Sequence, residues 1–264
     1  MSIRVLVNGA LGKMGGEVII AACNDPMTEI VGAADIRAKD KLLLCPDQSG
    51  SVQLFVDLEA ALDKSKPDVM VDFTQAEVSL VAARMAAERK VNLVIGTSGL
   101  APHDLVEIDQ LAKANGVGAV VAANFALGAV LMIHLARLAA KYFDYAEIIE
   151  MHHEQKLDAP SATALSTVRA MREARDEPFK HPQVHKETLS GTRGGELEGI
   201  ALHSVRMPGL LAHQEVLFGT SGQTLSIKHD SINRECFMPG VILAIKKVSE
   251  HKGLVYGLDK LLGI

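Results

Sequence analysis

The chain has 264 residues, 48% of them hydrophobic and 22% charged, with a formal net charge of −5. This is the composition of a folded globular protein of one large domain or two modest ones, and it excludes a disordered chain. It also argues against nonspecific nucleic-acid binding, which needs a basic surface to displace counterions from phosphates; a local basic pocket for an anionic metabolite stays compatible with it.

The N-terminus, "MSIRVLVNGALG", runs straight into a strand pattern and lacks the parts of a signal peptide. Cys23, Cys45 and Cys236 are odd in number and far apart, which fits a reducing compartment and gives no zinc spacing. A cytoplasmic protein without a metal centre is the expectation. In chain order, "IRVLVNG", "EIVGAAD", "LFVD", "DVMVDFT", "LVIGT" and "AVVAA" read as short apolar strands. "KMGGEVIIAACND", "LEAALDKS", "AEVSLVAARMAAERK" and "HDLVEIDQLAKAN" lie between them with helical spacing. Such a β-α-β rhythm predicts a parallel sheet with helices on both faces.

Residues 116–133 form a nearly continuous apolar run, interrupted only by Asn124, and approach the length of a membrane span. "NFALG" in its middle and the charges after it favour a buried parallel strand, a turn and a helix starting near Gly128. No membrane span is expected. Beyond residue 127 the texture changes. A helix "AVLMIHLARLAAKYF" leads to a strand "EIIEMHH" and a helix near "ATALSTVRAMREAR". A polar stretch from His181 to Glu198 reads as a loop. "IALHSVRM", "QEVLFGT" and "TLSIKHDS" follow as strands. With no long helix between them, they are expected to be antiparallel. The helix "MPGVILAIKKVSEH" closes the chain. The fold class is therefore an α/β Rossmann-type parallel-sheet domain, followed by an α+β domain with an open mixed sheet.

In "VLVNGALGKMGGEV", Gly9, Gly12 and Gly15 punctuate the first strand-to-helix turn, spaced G-x-x-G-x-x-G. Glycines there permit a tight turn and let backbone N–H groups reach a pyrophosphate at the helix N-terminus. Asp35 ends the next strand, where a carboxylate can accept hydrogen bonds from adenosine ribose hydroxyls. Asp35 favours NADH, because a carboxylate repels a 2′-phosphate. Arg37 can turn outward and bind that phosphate, so NADH and NADPH are both admitted. "GTSG", residues 96–99, and "AANF", residues 122–125, end later strands, where open α/β sheets bind ligands. By spacing alone they are equally ordinary turns.

"EMHHEQKLDAPSATA", residues 150–164, gathers two histidines, a lysine, an aspartate and two hydroxyl residues. Strand alternation puts Glu150 and His152 on one face and His153 on the other, unless the strand ends between the histidines. His152 has a ring pKa suited to a general acid, and Lys156 offers a fixed positive charge. Pro160 suits the start of the following helix. Ser161 or Asp158 can cap it, leaving the N–H groups near Ala162 and Thr163 as an anion site. Spacing alone also fits a capped helix after a polar turn.

The segment "EIIEMHHEQKLDAPSATA" resembles the signature of the dihydrodipicolinate reductases, E-h-H-H-x-x-K-x-D-A-P-S-G-T-A. "NGALGKMG", "DVMVDFT", "VIGTSGL" and "AANFALG" are similar to that family's cofactor segments. "IALHSVRMPGLLAHQEVLFG" and "IKHDSINRECFMPGVILAI" are similar to its C-terminal strands and last helix. The resemblance covers essentially the whole chain. It implies reduction of a cyclic dicarboxylate imine to tetrahydrodipicolinate with NADH or NADPH, in lysine and diaminopimelate biosynthesis. By matched position, His152 would be the general acid and Lys156 the second catalytic residue. His153, Ser161, Ala162 and Thr163 would hold a substrate carboxylate. The cofactor would meet Gly9, Ala10, Leu11, Gly12, Lys13, Met14, Asp35, Arg37, Gly96, Thr97, Ser98, Ala122, Ala123, Asn124 and Phe125. The resemblance further implies a homotetramer joined through the second domain's sheet. It implies a last helix returning to the first domain, so that residues 1–126 with 239–264 bind dinucleotide and 127–238 bind substrate.

The chain departs from the pattern at three places. Ala162 replaces a glycine and Ala126 a serine. Ile36 stands where members using both cofactors often carry arginine, with Arg37 one position on. If Ala162 has a helical φ its N–H is retained; a positive φ would cost substrate binding. Two other readings follow from these departures: a related reductase for a different cyclic imine, and a catalytically silent dinucleotide-binding sensor.

Overall fold

The computed structural model describes residues 2–39, 42–44 and 50–264; Cys45 lies outside the described residues. Its elements in chain order are β1 (Ile3–Asn8), α1 (Lys13–Asn24), β2 (Thr28–Ala34), β3 (Leu42–Leu44), β4 (Ser51–Phe55), α2 (Leu58–Ser65), β5 (Val69–Asp72), α3 (Ala76–Glu88), β6 (Asn92–Ile95), α4 (Pro102–Asn115), β7 (Gly118–Val121), α5 (Leu127–Ala139), β8 (Tyr145–His152), α6 (Ala162–Glu173), β9 (Gly195–Leu197), β10 (Ile200–Arg206), β11 (Ala212–Thr220), β12 (Gln223–Ser231), α7 (Met238–Lys247), β13 (Gly253–Tyr256) and α8 (Leu258–Leu262). The chain divides into two compact units, Met1–Leu127 with Arg234–Ile264, and Gly128–Asn233.

In the first unit an eight-stranded sheet runs in the order β13-β7-β6-β5-β1-β2-β4-β3. All its pairings are parallel except the short β3 against β4. The apolar runs become strands because a parallel sheet is buried on both faces: β5, β7 and the last four residues of β1 are fully buried. Local signals set the helix ends. The Asp57 carboxylate accepts from the N–H groups of Glu59 and Ala60 at the start of α2. Pro102 opens α4, and Gly116, with φ +69°, ends it. Leu6, Met70, Leu93, Ile95 and Ile108 fill the core between sheet and helices. The chain leaves β1 for β2 on one side and returns to β5 on the other. The loops after β1 and β5 therefore splay apart at a topological switch point, where open α/β sheets bind ligands.

The end of the chain differs from the sequence expectation. α7 is followed by a strand, β13, which pairs in parallel with β7, and by the short helix α8. "LVY" is too short to show a period, so only its tertiary pairing reveals it as a strand.

The second unit is a five-stranded sheet in the order β12-β11-β8-β10-β9. α5 and α6 contribute Met132, Ala136, Ala164, Val168 and Met171 to a core with Ile148, Ile200, Val216 and Phe218 from the strands. Along β8, Ala146, Ile148 and Glu150 are buried and alternate with more exposed residues. One expectation needs correcting. β11 and β12 are antiparallel neighbours, but β10 does not pair with β11; it lies parallel to β8 on that strand's other edge. The connection from β8 to β10, residues 153–199, contains α6 and is long enough for the crossover a parallel pair requires. The polar stretch before β10 also contributes the edge strand β9.

Among the described residues no helix is long and apolar enough to cross a membrane. The apolar run of residues 116–133 is divided among β7, a turn and α5. No group of three or more His, Cys, Asp or Glu among the described residues is placed to hold a metal ion. His203 lies 2.9 Å from Glu147, His213 lies 2.7 Å from Asp230, and burial lowers the pKa of His229.

Candidate active site

In the first unit a cleft of about 440 Å³ opens at the switch point, walled by Gly9 and Gly12, by Asp35 and Arg37, and by Phe73 and Thr74. Gly9 has φ +79°, and a Cβ there would come within 3.0 Å of Thr74 and 3.1 Å of the Phe73 carbonyl oxygen. Only glycine fits that turn. Gly12 precedes α1 and no side chain caps the helix, so the N–H groups of its first turn are available to an anion. Ala10 is buried. Leu11 and Lys13 are exposed, and Met14 is half-buried, around the same turn.

Asp35, only 6% exposed, accepts from the Leu11 N–H at 3.0 Å. Arg37 folds back onto it. Its backbone N–H and Nε both reach Oδ1, and Nη2 reaches Oδ2, at 2.9 to 3.0 Å. The Arg37 guanidinium, with backbone N–H groups helping, holds the Asp35 carboxyl below its ordinary range despite burial. Arg37 thus points at Asp35 here, while remaining largely exposed.

The turns of residues 96–98 and 122–125 stand at neighbouring strand ends. Phe73 joins them to the cleft. Its ring fills the space a side chain at Gly96 would need and lies 5.9 Å from the Phe125 ring. Thr97 Oγ1 accepts from the Thr74 N–H at 3.1 Å. Ser98 and Ala123 are exposed, and Ala122 is buried with its N–H bonded to Ile95 O. Asn124 Oδ1 accepts from the Ala126 N–H at 2.8 Å, so this turn is held without the serine that Ala126 replaces. Beneath these turns lies Asp72, fully buried, 3.2 Å from Asn8 Nδ2 and 3.4 Å from Thr97 Oγ1. Burial raises its pKa, and hydrogen bonds from neighbouring side chains only partly oppose that. Sequence reasoning passed over Asp72. Its signal was a carboxylate closing the apolar run "VMVD" in a strand with no solvent-facing side.

In the second unit β8 ends at His152, so His153 begins the turn rather than occupying the opposite sheet face. Lys156 Nζ lies 2.7 Å from Asp158 Oδ1 and is mostly buried. Ser161 caps α6, its hydroxyl accepting from the Ala164 N–H at 3.1 Å. Pro160 therefore sits before the cap, after a cis peptide bond. Ala162 is the first helical residue, and it is not among the residues with positive φ. Its N–H and that of Thr163 are first-turn donors that neither the cap nor the helix takes up. Thr163 O accepts from Thr167.

His152 Nδ1 is 2.5 Å from Glu150 Oε2. Glu150 has no exposed surface, and its two oxygens meet the Arg206 guanidinium at 2.9 and 2.7 Å. Burial alone would raise the Glu150 pKa; Arg206, Ser204 and His152 outweigh it and hold the carboxyl below its ordinary range. The His152 pKa is lowered, chiefly by burial, with Glu150 opposing and Lys156 and Arg206 adding to the effect. Arg206 comes from β10, and sequence reasoning did not single it out. His152, Lys156 and the first turn of α6 lie within a dozen residues of one another along the chain, and Lys156 and the Arg206 of another strand both act on the His152 ring.

A Rossmann-type unit followed by a mixed-sheet unit with this cluster is the architecture of a two-domain pyridine-nucleotide reductase. The family profiles described as dihydrodipicolinate reductase, N-terminus and C-terminus, match residues 3–125 and 128–262. The chain is 56% identical over 260 residues to a 4-hydroxy-tetrahydrodipicolinate reductase of Dehalococcoides mccartyi (strain BAV1), covering 98% of both chains. It is 44% identical over 263 residues to that of Bacillus subtilis strain 168, covering 99% of this chain and 98% of the relative. It superposes on a dipicolinate-bound dihydrodipicolinate reductase from Paenisporosarcina sp. TG-14 with a TM-score of 0.87 and 44% identity, covering 98% and 99% of the two chains. The chain belongs to the dihydrodipicolinate reductase family.

Proposed function

We propose that the protein reduces 4-hydroxy-tetrahydrodipicolinate, or its dehydrated form dihydrodipicolinate, to tetrahydrodipicolinate with NADH or NADPH, in diaminopimelate and lysine biosynthesis. It is an oxidoreductase of the cytoplasm. The observation that carries this reading is the grouping of His152, Lys156 and the α6 N-terminus in a chain related over its full length to enzymes of that name.

A dinucleotide fits the first unit. The uncapped start of α1 and the side-chain-free turn at Gly9 leave room for a pyrophosphate, and Asp35 presents a carboxylate to the ribose hydroxyls. The turns at 96–98 and 122–125 serve the nicotinamide half. When bound, the reduced cofactor supplies a hydride. The protein's own residues do the remaining work. His153, the Ser161–Thr163 segment and the α6 dipole hold a substrate carboxylate. Lys156 places positive charge where the reduced substrate builds negative charge. His152 gives a proton from Nε2, and the neutral ring left behind keeps the Nδ1–H that Glu150 accepts. The dipicolinate on the Paenisporosarcina enzyme supports a planar cyclic dicarboxylate as the substrate class. The second unit's sheet, with Glu147, Ile149 and Met151 on the face away from the helices, is the surface through which we place a homotetramer.

The test is a steady-state assay with substrate generated in situ by the preceding synthase. NADH and then NADPH oxidation would be followed. Turnover with at least one cofactor is expected. A protein that binds both cofactors and turns over neither would overturn the reading.

A further inference from the structure

We infer that Glu150 and Arg206 are positioning residues for the general acid: a buried ion pair that fixes the His152 ring with Nδ1 as donor and Nε2 as the working nitrogen. This rests on the reading of His152 as the proton donor.

β8 alternates in and out, and its buried register runs Ala146, Ile148, Glu150. The third position carries a carboxylate where packing asks for an aliphatic side chain. Burying a carboxylate is costly unless it is paired, and a buried pair seldom adds net stability over an apolar substitute. A structural role alone therefore accounts poorly for it. The partner comes from the crossover strand. β10 lies parallel to β8 with Ser204 opposite Glu150 and Arg206 opposite His152. From there Arg206 reaches back to grip both Glu150 oxygens. An ionised carboxylate only accepts hydrogen bonds, so the ring nitrogen 2.5 Å from Oε2 is the protonated one.

The pair also connects the two catalytic groups. Arg206 Nη2 donates to the Asp158 carbonyl oxygen at 2.7 Å, and the Asp158 carboxylate accepts from Lys156 at 2.7 Å. One continuous set of charge-assisted bonds runs from His152 through Glu150, Arg206 and Asp158 to Lys156. Removing Glu150 therefore releases the ring and loosens the turn that carries the lysine.

The charged groups facing His152 are Glu150 on its own strand, Lys156 on the following turn and Arg206 on β10, with Asp158 one bond beyond. β11 presents uncharged Ala212 opposite His152 and Gln214 opposite Glu150. His213, between them, is paired with Asp230. The first turn of α6 carries no ionisable side chain. Among the described residues, Glu150 is thus the one anion in direct contact that favours the imidazolium. Without its charge, Lys156, Arg206 and burial act unopposed, and the ring loses its proton at lower pH.

The experiment compares Glu150→Gln and Glu150→Asp with the unmodified enzyme across pH. His152→Ala serves as control, and the His152 tautomer is read from ring nitrogen shifts in the unmodified protein. We expect Glu150→Gln to lower kcat about 10- to 100-fold, a fraction of what a positioned acid contributes. The basic limb of kcat/KM should move to lower pH, with KM for NADH unchanged. Glu150→Asp should restore part of both effects, and the neutral ring should carry its proton on Nδ1. A Glu150→Gln enzyme with parental turnover and pH profile, or a neutral ring protonated on Nε2, would overturn the inference. The tautomer decides if Glu150→Gln does not fold. Parental activity in His152→Ala would instead defeat the proton-donor reading itself.

Discussion

Arg37 is bound to Asp35 by three of its own nitrogens, and Asp35 also holds the backbone of the glycine turn through Leu11. Both Asp35 oxygens are thereby doubly occupied, so in the proposed site a ribose hydroxyl would take the place of one Arg37 contact and leave the others. A 2′-phosphate must instead draw Arg37 away, since the carboxylate repels it. Hydrogen bonds to a charged group are worth about 1.5–3 kcal/mol, roughly 10- to 100-fold in binding. Asp35→Ala is therefore expected to raise KM for NADH by about that factor. Arg37→Ala should raise KM for NADPH about 10-fold and leave that for NADH nearly unchanged. Steady-state KM values for both cofactors check this, and an equal effect of Arg37→Ala on the two would contradict it. The placing of Asp35 beside the glycine turn was legible because a glycine turn followed by an acidic strand end is a local pattern. Arg206 was not: an arginine in "SVRM" looks like any polar strand residue until parallel pairing sets it against His152.

At the scale of elements, the start of α6 decides whether the departure at residue 162 matters. Ser161 is the cap and Ala162 the first helical residue, exposed and without positive φ. Its methyl points outward and its N–H keeps a helical direction, so glycine's special conformations are not needed here. Ala162→Gly should destabilise the protein by no more than about 1 kcal/mol, the helix-propensity difference. It should leave substrate KM within about twofold. A large fall in KM would show that the methyl obstructs the site. The helix was readable from its cap and period. The neighbouring strands were less so: periodicity identified β10, β11 and β12 but carried no information on pairing order. The lack of a long helix between them suggested antiparallel pairing, while the crossover through α6 had already committed β10 to the other side of β8. β13 escaped for a related reason, since four residues become a strand only through β7.

For the whole molecule, the alternation of strand and helix in the first half was enough to read a parallel sheet. The return of the chain after Arg234 to the first unit is a long-range event. No local pattern encodes it, and it was expected only from family resemblance. Each unit carries its own part of the proposed function: the first the glycine turn and Asp35 proposed for the dinucleotide, the second the His152 and α6 segment proposed for proton donation and carboxylate binding. The most direct test is the turnover of His152→Ala and Lys156→Ala with saturating NADH and enzymatically generated substrate, alongside their affinity for NADH. A positioned acid contributes about 100- to 10,000-fold. Losses of that order are expected in each variant with NADH affinity unchanged; near-parental turnover in both would show that neither residue takes part in the chemistry.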